Sequence, residues 1–137
     1  MSFRNHLNTD MADKELQFWT TPPNVFLVAT NTADDNEVLG CISYQVKNSK
    51  MVEMNRLAVN SSMRGMRIGE KLVNALLDEA RKNGYQTMYL ETSTPASSAI
   101  RLYERMNFKF LQRCKFYIPY LDIVTGIHIV AYSRSLN

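Results

Sequence analysis

LAVNSSMRGMRIGEKL, residues 57–72, is the stretch on which the reading of this chain turns. A short apolar run, Leu57-Ala58-Val59, passes through a polar loop holding Gly65 and enters an amphipathic segment that carries Gly69 in its first turn. A strand that runs through a glycine-containing loop straight into a helix makes an anion site. The loop amides and the positive end of the helix dipole point the same way, and glycine lets the backbone approach a pyrophosphate closely. Taken alone, the junction reads equally well as a tight turn. Two nucleotide-binding signatures are excluded by residue type. Gly69 is followed by Glu70 and Lys71 rather than Lys and Ser/Thr, and the three spaced glycines of a dinucleotide fingerprint are missing.

Downstream of the junction, Ile68, Leu72, Leu76 and Ala80 recur on one stripe while Glu70, Lys71, Asn74, Asp78 and Arg81 turn away, which predicts a helix that stops at Asn83-Gly84. TMYLET (87–92) reads as a strand. Thr94-Pro95 predicts the start of a second helix, with a hydroxyl cap and proline at its first position, an apolar side of Ala99, Ile100, Tyr103 and Met106, and an end at Asn107. FKFLQRC (108–114) and IHIVAYSRSL (127–136) predict two closing strands on either side of a connection through Pro119. Upstream, NVFLVAT (24–30) and EVLGCISYQV (37–46) predict a hairpin, and KMVEMNRLAV (50–59) a central strand apolar on both faces. TDMADKELQFW (9–19) reads as a short helix ended by Thr20 to Pro23. The resulting order is helix, three strands, helix, strand, helix, two strands. That is an α/β arrangement, a mixed sheet with helices on both faces.

A chain of 137 residues, 45% of them apolar, suits one domain over residues 1–137. No apolar run approaches the length of a membrane span, and MSFRNHLNTD lacks the apolar core of a signal peptide, so the chain as given reads as soluble and cytoplasmic, without membrane contact. The net charge of +3 comes from Lys and Arg spread along the chain, which disfavours nucleic acid and suits a phosphorylated small molecule. Cys41 and Cys114, each within an apolar run, read as buried structural thiols of a reducing compartment, and neither has a sequence neighbour that would activate it as a nucleophile. His6 and His128 lie far apart, and no metal-ligand spacing occurs, so no metal is expected.

Arg64-Gly65-Met66-Arg67-Ile68-Gly69 after Leu57-Ala58-Val59, followed by Ala99-Ile100-Arg101-Leu102-Tyr103-Glu104-Arg105-Met106-Asn107-Phe108, resembles the GCN5-related N-acetyltransferase (GNAT) superfamily. The two motifs in this order are specific together. Within the superfamily the chain looks most like the camello-type group that includes aspartate N-acetyltransferase, a likeness that extends to Thr9-Asp10-Met11-Ala12-Asp13 and Pro22-Pro23. The resemblance implies a mostly antiparallel sheet and direct acetyl transfer from acetyl-CoA, as co-substrate, to a primary amine of a small molecule, amino acid or protein. It also implies that residues 64–69 hold the pyrophosphate, that Leu57, Ala58 and Val59 pair with the pantetheine arm, and that Ser98 and Tyr103 contact the coenzyme. An extended arm carrying amides adds to a sheet edge as a strand does, and a backbone amide near Leu57 suits a thioester oxyanion. Members of the family usually begin with a further strand and helix, and the camello-type group carries an apolar membrane segment upstream. Both are expected to be lacking here, so membrane association is expected if such a segment has been removed. A homodimer is left open.

Each role stands beside a plainer reading. Tyr103 matches the family's tyrosine facing the coenzyme sulfur, and it also fits a core position of an amphipathic helix. A thiol with a reference pKa of about 8.5 leaves more readily than a phenol of about 10 gives up its proton, so a hydrogen bond from Tyr103 suffices. Glu53 stands where some members place a general base, or else is a surface carboxylate at the sheet edge. Arg56 would face the side opposite Glu53 in an unbroken strand, though a bulge would change that, and reads as a clamp for an acidic substrate or as a salt-bridged structural group. The family usually has glycine at the place of Arg67, whose side chain either crowds the phosphates or adds a charge to them. Ala96 replaces a polar residue that in many relatives touches the pantetheine arm. These departures keep a second reading alive, that of a coenzyme-binding module weakened in catalysis. The acceptor pocket is expected from the first helices and from Lys115 to Thr125.

Overall fold

The computed structural model describes residues 2–5, 22–31, 33, 37–63, 65, 67–94, 96–114 and 129–137. Its strands are β1 (Ser2–Asn5), β2 (Val25–Thr30), β3 (Val38–Val46), β4 (Met51–Val59), β5 (Thr87–Ser93), β6 (Lys109–Cys114) and β7 (Ile129–Ser135), with helices α1 (Ile68–Lys82) and α2 (Ser97–Arg105). They form one sheet in the order β1-β2-β3-β4-β5-β7-β6. Only β4 and β5 run parallel, so the sheet is mixed and mostly antiparallel, as expected.

The apolar stripe read from the sequence is the buried face of α1: Ile68, Leu72, Leu76 and Ala80 pack with Val73 and Leu77 against Leu27, Ile42, Tyr44, Val52 and Met54. Residues four apart stack on one side of a helix, and seating that side on the sheet removes it from water, which is the main force holding the layer in place. Tyr103 and Met106 of α2 join the same cluster, so both described helices cover one face of the sheet. On the other face Phe26 and Val28 are also buried, with Cys41 packed against them. The helix expected at 9–19 and the loop 115–125 lie outside the described residues.

Four expectations are corrected. An N-terminal strand, expected to be lacking, is present as β1; four residues with no apolar alternation give no signal in sequence, and β1 is placed by its antiparallel pairing with β2. β4 is not apolar on both faces: Val52 and Met54 are buried, whereas Glu53 and Asn55 are only half-buried on the reverse. Instead of capping with Thr94 at Pro95, α2 begins at Ser97 with Ala96 as N-cap and no side-chain cap bond. Ala96 N–H donates to the Ser93 carbonyl, 3.0 Å, so a backbone turn precedes the helix and delays it. Cys41 is half-buried rather than sealed in the core, its Sγ 3.6 Å from the Arg56 carbonyl, because it lies on the less covered face. The predicted stops hold. Gly84 at φ 86° and Asn107 at φ 68° take the left-handed conformation that turns the chain after each helix.

Candidate functional site

The site grows from the way β4 leaves β5. The two strands are in register only at Met51↔Thr87, Val52↔Met88 and Glu53↔Tyr89; beyond these pairs β4 runs on to Val59 and β5 to Ser93 without pairing to each other. The gap coincides with a bulge. Against β3, Ser43 pairs with Asn55 and Cys41 with Ala58, so Arg56 and Leu57 together oppose Ile42, and Arg56 sits at φ 53°. The extra residue reverses the parity of the strand: Val52 and Met54 face the helices before it, Leu57 and Val59 after it.

Into the fork opens a cleft of about 140 Å³ lined by Met54, Asn55, Arg56, Leu57, Leu90, Glu91 and Tyr103. Tyr103 is 7% exposed and meets Phe108 edge to face, with ring centroids 5.9 Å apart. Burial pushes its phenol above the ordinary value. A phenol so placed stays protonated across the neutral range and can only donate to a developing anion. Glu91 stands on β5 on the side away from the core, and its Oε1 accepts from the Tyr89 hydroxyl at 2.6 Å.

A groove of about 480 Å³ lies between the start of α1 and the outer side of α2, lined among the described residues by Val59, Gly65, Arg67, Ile68, Gly69, Glu70, Ser98, Ala99, Arg101, Leu102 and Arg105. Gly65, at φ 86°, and Arg67, at φ 57°, turn the loop so that α1 starts facing the groove. At Gly69 a Cβ would come within 3.3 Å of Leu102, so the missing side chain lets α1 and α2 close to a narrow floor. A floor of backbone and aliphatic atoms flanked by three guanidiniums and a helix N-terminus suits a pyrophosphate-bearing ligand.

The residues picked out in sequence therefore divide. Val59, Gly65, Arg67, Ile68, Gly69 and Ser98 come together in the groove, and Leu57, Arg56 and Tyr103 in the cleft, with β4 joining the two. Ala58 is exposed and pairs with Cys41. Arg64 and Met66 lie outside the described residues. Glu53 is at the last paired position of the fork, but its carboxylate binds Lys47 Nζ at 3.2 Å and does not line the cleft. Three further residues of the site, Glu91, Arg101 and Arg105, were not singled out from the sequence. The spacing of the two arginines, one helical turn apart on the polar side of a helix whose partner groove was already marked, was the available signal.

Residues 1–108 match the acetyltransferase (GNAT) family. The chain belongs to that family. Curated relatives include the probable N-acetyltransferase camello of Xenopus tropicalis, 33% identical over 105 residues, covering 75% of this chain and 47% of the relative. Another is the N-acetylaspartate synthetase of Mus musculus, 30% identical over 113 residues, covering 82% of this chain and 37% of the relative. The chain thus spans less than half the length of these relatives. A GNAT acetyltransferase from Elizabethkingia anophelis, solved with acetyl-CoA bound, shares the fold at a TM-score of 0.77 and 15% identity over 98% of this chain and 97% of its own. Among the described residues no helix is long and apolar enough to cross a membrane, and no group of three His, Cys, Asp or Glu residues is placed to hold a metal.

Proposed function

We propose that this GNAT domain transfers the acetyl group of acetyl-CoA to a primary amine. The observation that carries the reading is that one strand serves both sites: β4 gives Val59 to the charged groove at the start of α1 and Met54 to Leu57 to the fork with β5, which Tyr103 also lines. In that reading the pyrophosphate rests on the loop amides and the start of α1, and the pantetheine arm runs along the edge of β4 that β5 has left, pairing as a strand would. The thioester then lies beside Leu57 and Tyr103.

The chemistry needs a proton removed from an ammonium whose reference pKa is about 10, attack on the carbonyl, and departure of the thiolate. Two carboxylates stand at the fork. Glu91 is the better placed to accept the amine proton, since it lines the cleft and Glu53 does not. The Leu57 amide stabilises the oxyanion, and the Tyr103 hydroxyl donates to the leaving sulfur. Arg56, exposed and lining the cleft, is the residue proposed to clamp an acceptor that carries a carboxylate. The N-acetylaspartate synthetases among the relatives support an amino acid of that kind.

Incubation with acetyl-CoA and a panel of amines, followed by free thiol, tests the proposal. Amine-dependent thiol release is expected, with acidic amino acids among the acceptors. Coenzyme binding without release on any amine would instead favour a binding module weakened in catalysis.

A further inference from the structure

The groove holds more positive charge than a pyrophosphate at a helix start requires. Arg101 and Arg105 lie on the exposed side of α2, across the groove from the loop and α1. Four residues apart, they stand about 6 Å from each other along the helix, on one side of it. Arg67 faces them from the start of α1, and Glu70 is the only carboxylate among the described lining residues. Neither of the salt bridges Lys47–Glu53 and Arg81–Asp78 involves any of the three arginines.

Coenzyme A carries three phosphates: the pyrophosphate, and a phosphomonoester on the 3′ position of its ribose. In the coenzyme reading the pyrophosphate is met by the backbone around Gly65 and Arg67 and by the start of α1. The phosphomonoester is a compact group close to doubly charged at neutral pH, with three acceptor oxygens and a second pKa of about 6. Paired guanidiniums read such a group best, because each presents a planar fork of donors. Arg101 and Arg105 line the wall of the groove formed by α2, across from the loop and the start of α1.

We propose that Arg101 and Arg105 form a subsite for the ribose 3′-phosphate and so make the domain select coenzyme A over its 3′-dephospho form. The proposal rests on the coenzyme-binding reading above, and the experiment separates the two. Affinities of wild-type protein and of the Arg101→Gln/Arg105→Gln double variant for coenzyme A and 3′-dephospho-coenzyme A are measured by calorimetry at low salt. The thermal midpoint of each protein checks that these exposed substitutions leave the fold intact. Wild type should bind coenzyme A more tightly than the dephospho form by on the order of tenfold. The double variant should lose that preference while holding the dephospho form within about twofold of wild type. Lysine at both positions should restore part of the preference but less than arginine does, and raising the salt should erode it in wild type. Equal loss of affinity for both ligands would overturn the proposal, since the arginines would then be serving the pyrophosphate or the general field, and so would an unchanged preference in the double variant. Wild-type protein that binds neither ligand would overturn the coenzyme reading and this subsite together.

Discussion

Replacing Gly40 with alanine tests whether the fold and the coenzyme strand are coupled as the structure has them. Gly40 lies in β3 opposite Val59 and its backbone is outside the left-handed region, so alanine is conformationally admissible there. The obstacle is space. A Cβ at this position would stand 2.6 Å from the Ala58 carbonyl oxygen, 2.9 Å from Leu72 Cδ1 and 3.3 Å from Val59 Cα. Carbon and carbonyl oxygen ordinarily approach no closer than about 3.3 Å, so β4 must recede by about 0.7 Å. Leu72 cannot yield freely, being fully buried between α1 and the sheet. Overpacking of this kind costs about 1–3 kcal/mol, of which the stiffer unfolded chain returns about 0.4–1 kcal/mol. The expected net loss is about 0.6–2 kcal/mol, or roughly 2–8 °C in Tm for a domain of this size. Urea denaturation followed by far-UV circular dichroism measures the loss as a lower midpoint at unchanged slope. Calorimetry with coenzyme A measures its second consequence, weaker binding, because the displaced carbonyl belongs to the strand end that the pantetheine arm is proposed to follow. An unchanged or higher midpoint would refute the packing argument. A lower midpoint with undiminished coenzyme affinity would refute the coupling.

Tyr103→Phe should lower kcat on the order of a hundredfold with little change in coenzyme affinity, and equal turnover in the two proteins would remove the hydroxyl from the mechanism. The raised pKa of Tyr103 adds a pH signature. The stability tied to its protonated form is full below the unfolded value of about 10 and is lost as pH rises through the folded value, so urea midpoints taken from about pH 8 to 11 should fall less steeply for Tyr103→Phe. Glu91→Gln should lower kcat/KM on the order of a hundredfold at neutral pH, whereas Glu53→Gln should change it by less than about threefold; the reverse result would restore Glu53 as the base. Arg67→Gly should change stability by less than about 1 kcal/mol, since relief of a left-handed arginine offsets the added freedom of glycine. Its coenzyme affinity should fall at low salt and approach the wild-type value at high salt, and a loss insensitive to salt would mean that Arg67 shapes the loop and does not supply charge.

What the sequence conveyed depended on whether the information was local. The period of α1, the left-handed stops at Gly84 and Asn107, and the run of β2 depend on neighbouring residues, and each stands where its pattern puts it. The junction around Gly65 and Gly69 was equally legible, because a strand, a glycine loop and a helix in succession leave few geometries open. The rest depended on packing. Arg101 and Arg105 become a wall only when α2 settles beside α1, an approach fixed by the contact of Gly69 with Leu102, far from it in the chain. Glu91 enters the cleft because β5 parts from β4 after Tyr89, and no residue of TMYLET announces that its neighbour will leave.

The parting itself did leave a mark in the sequence, in the spacing of apolar residues along β4. Val52, Met54, Leu57 and Val59 are separated by two, three and two positions. A flat strand repeats every two, so an unbroken β4 would have carried Arg56 and Ala58 toward α1 and α2 and turned Leu57 and Val59 to the other face. Moving a guanidinium from solvent into the apolar core costs far more than a single residue in the left-handed region, which is of order 1–2 kcal/mol. The chain takes the cheaper course: Arg56 becomes the bulge at φ 53°, and Leu57 and Val59 return to the core side. A bulge bends its strand and strengthens its twist, and it lies directly beyond the last pairing with β5, at Glu53↔Tyr89. The cleft over Tyr103 thus follows from the need to keep one arginine out of the core, and the three-residue step in an otherwise alternating strand is the sequence feature that encodes it.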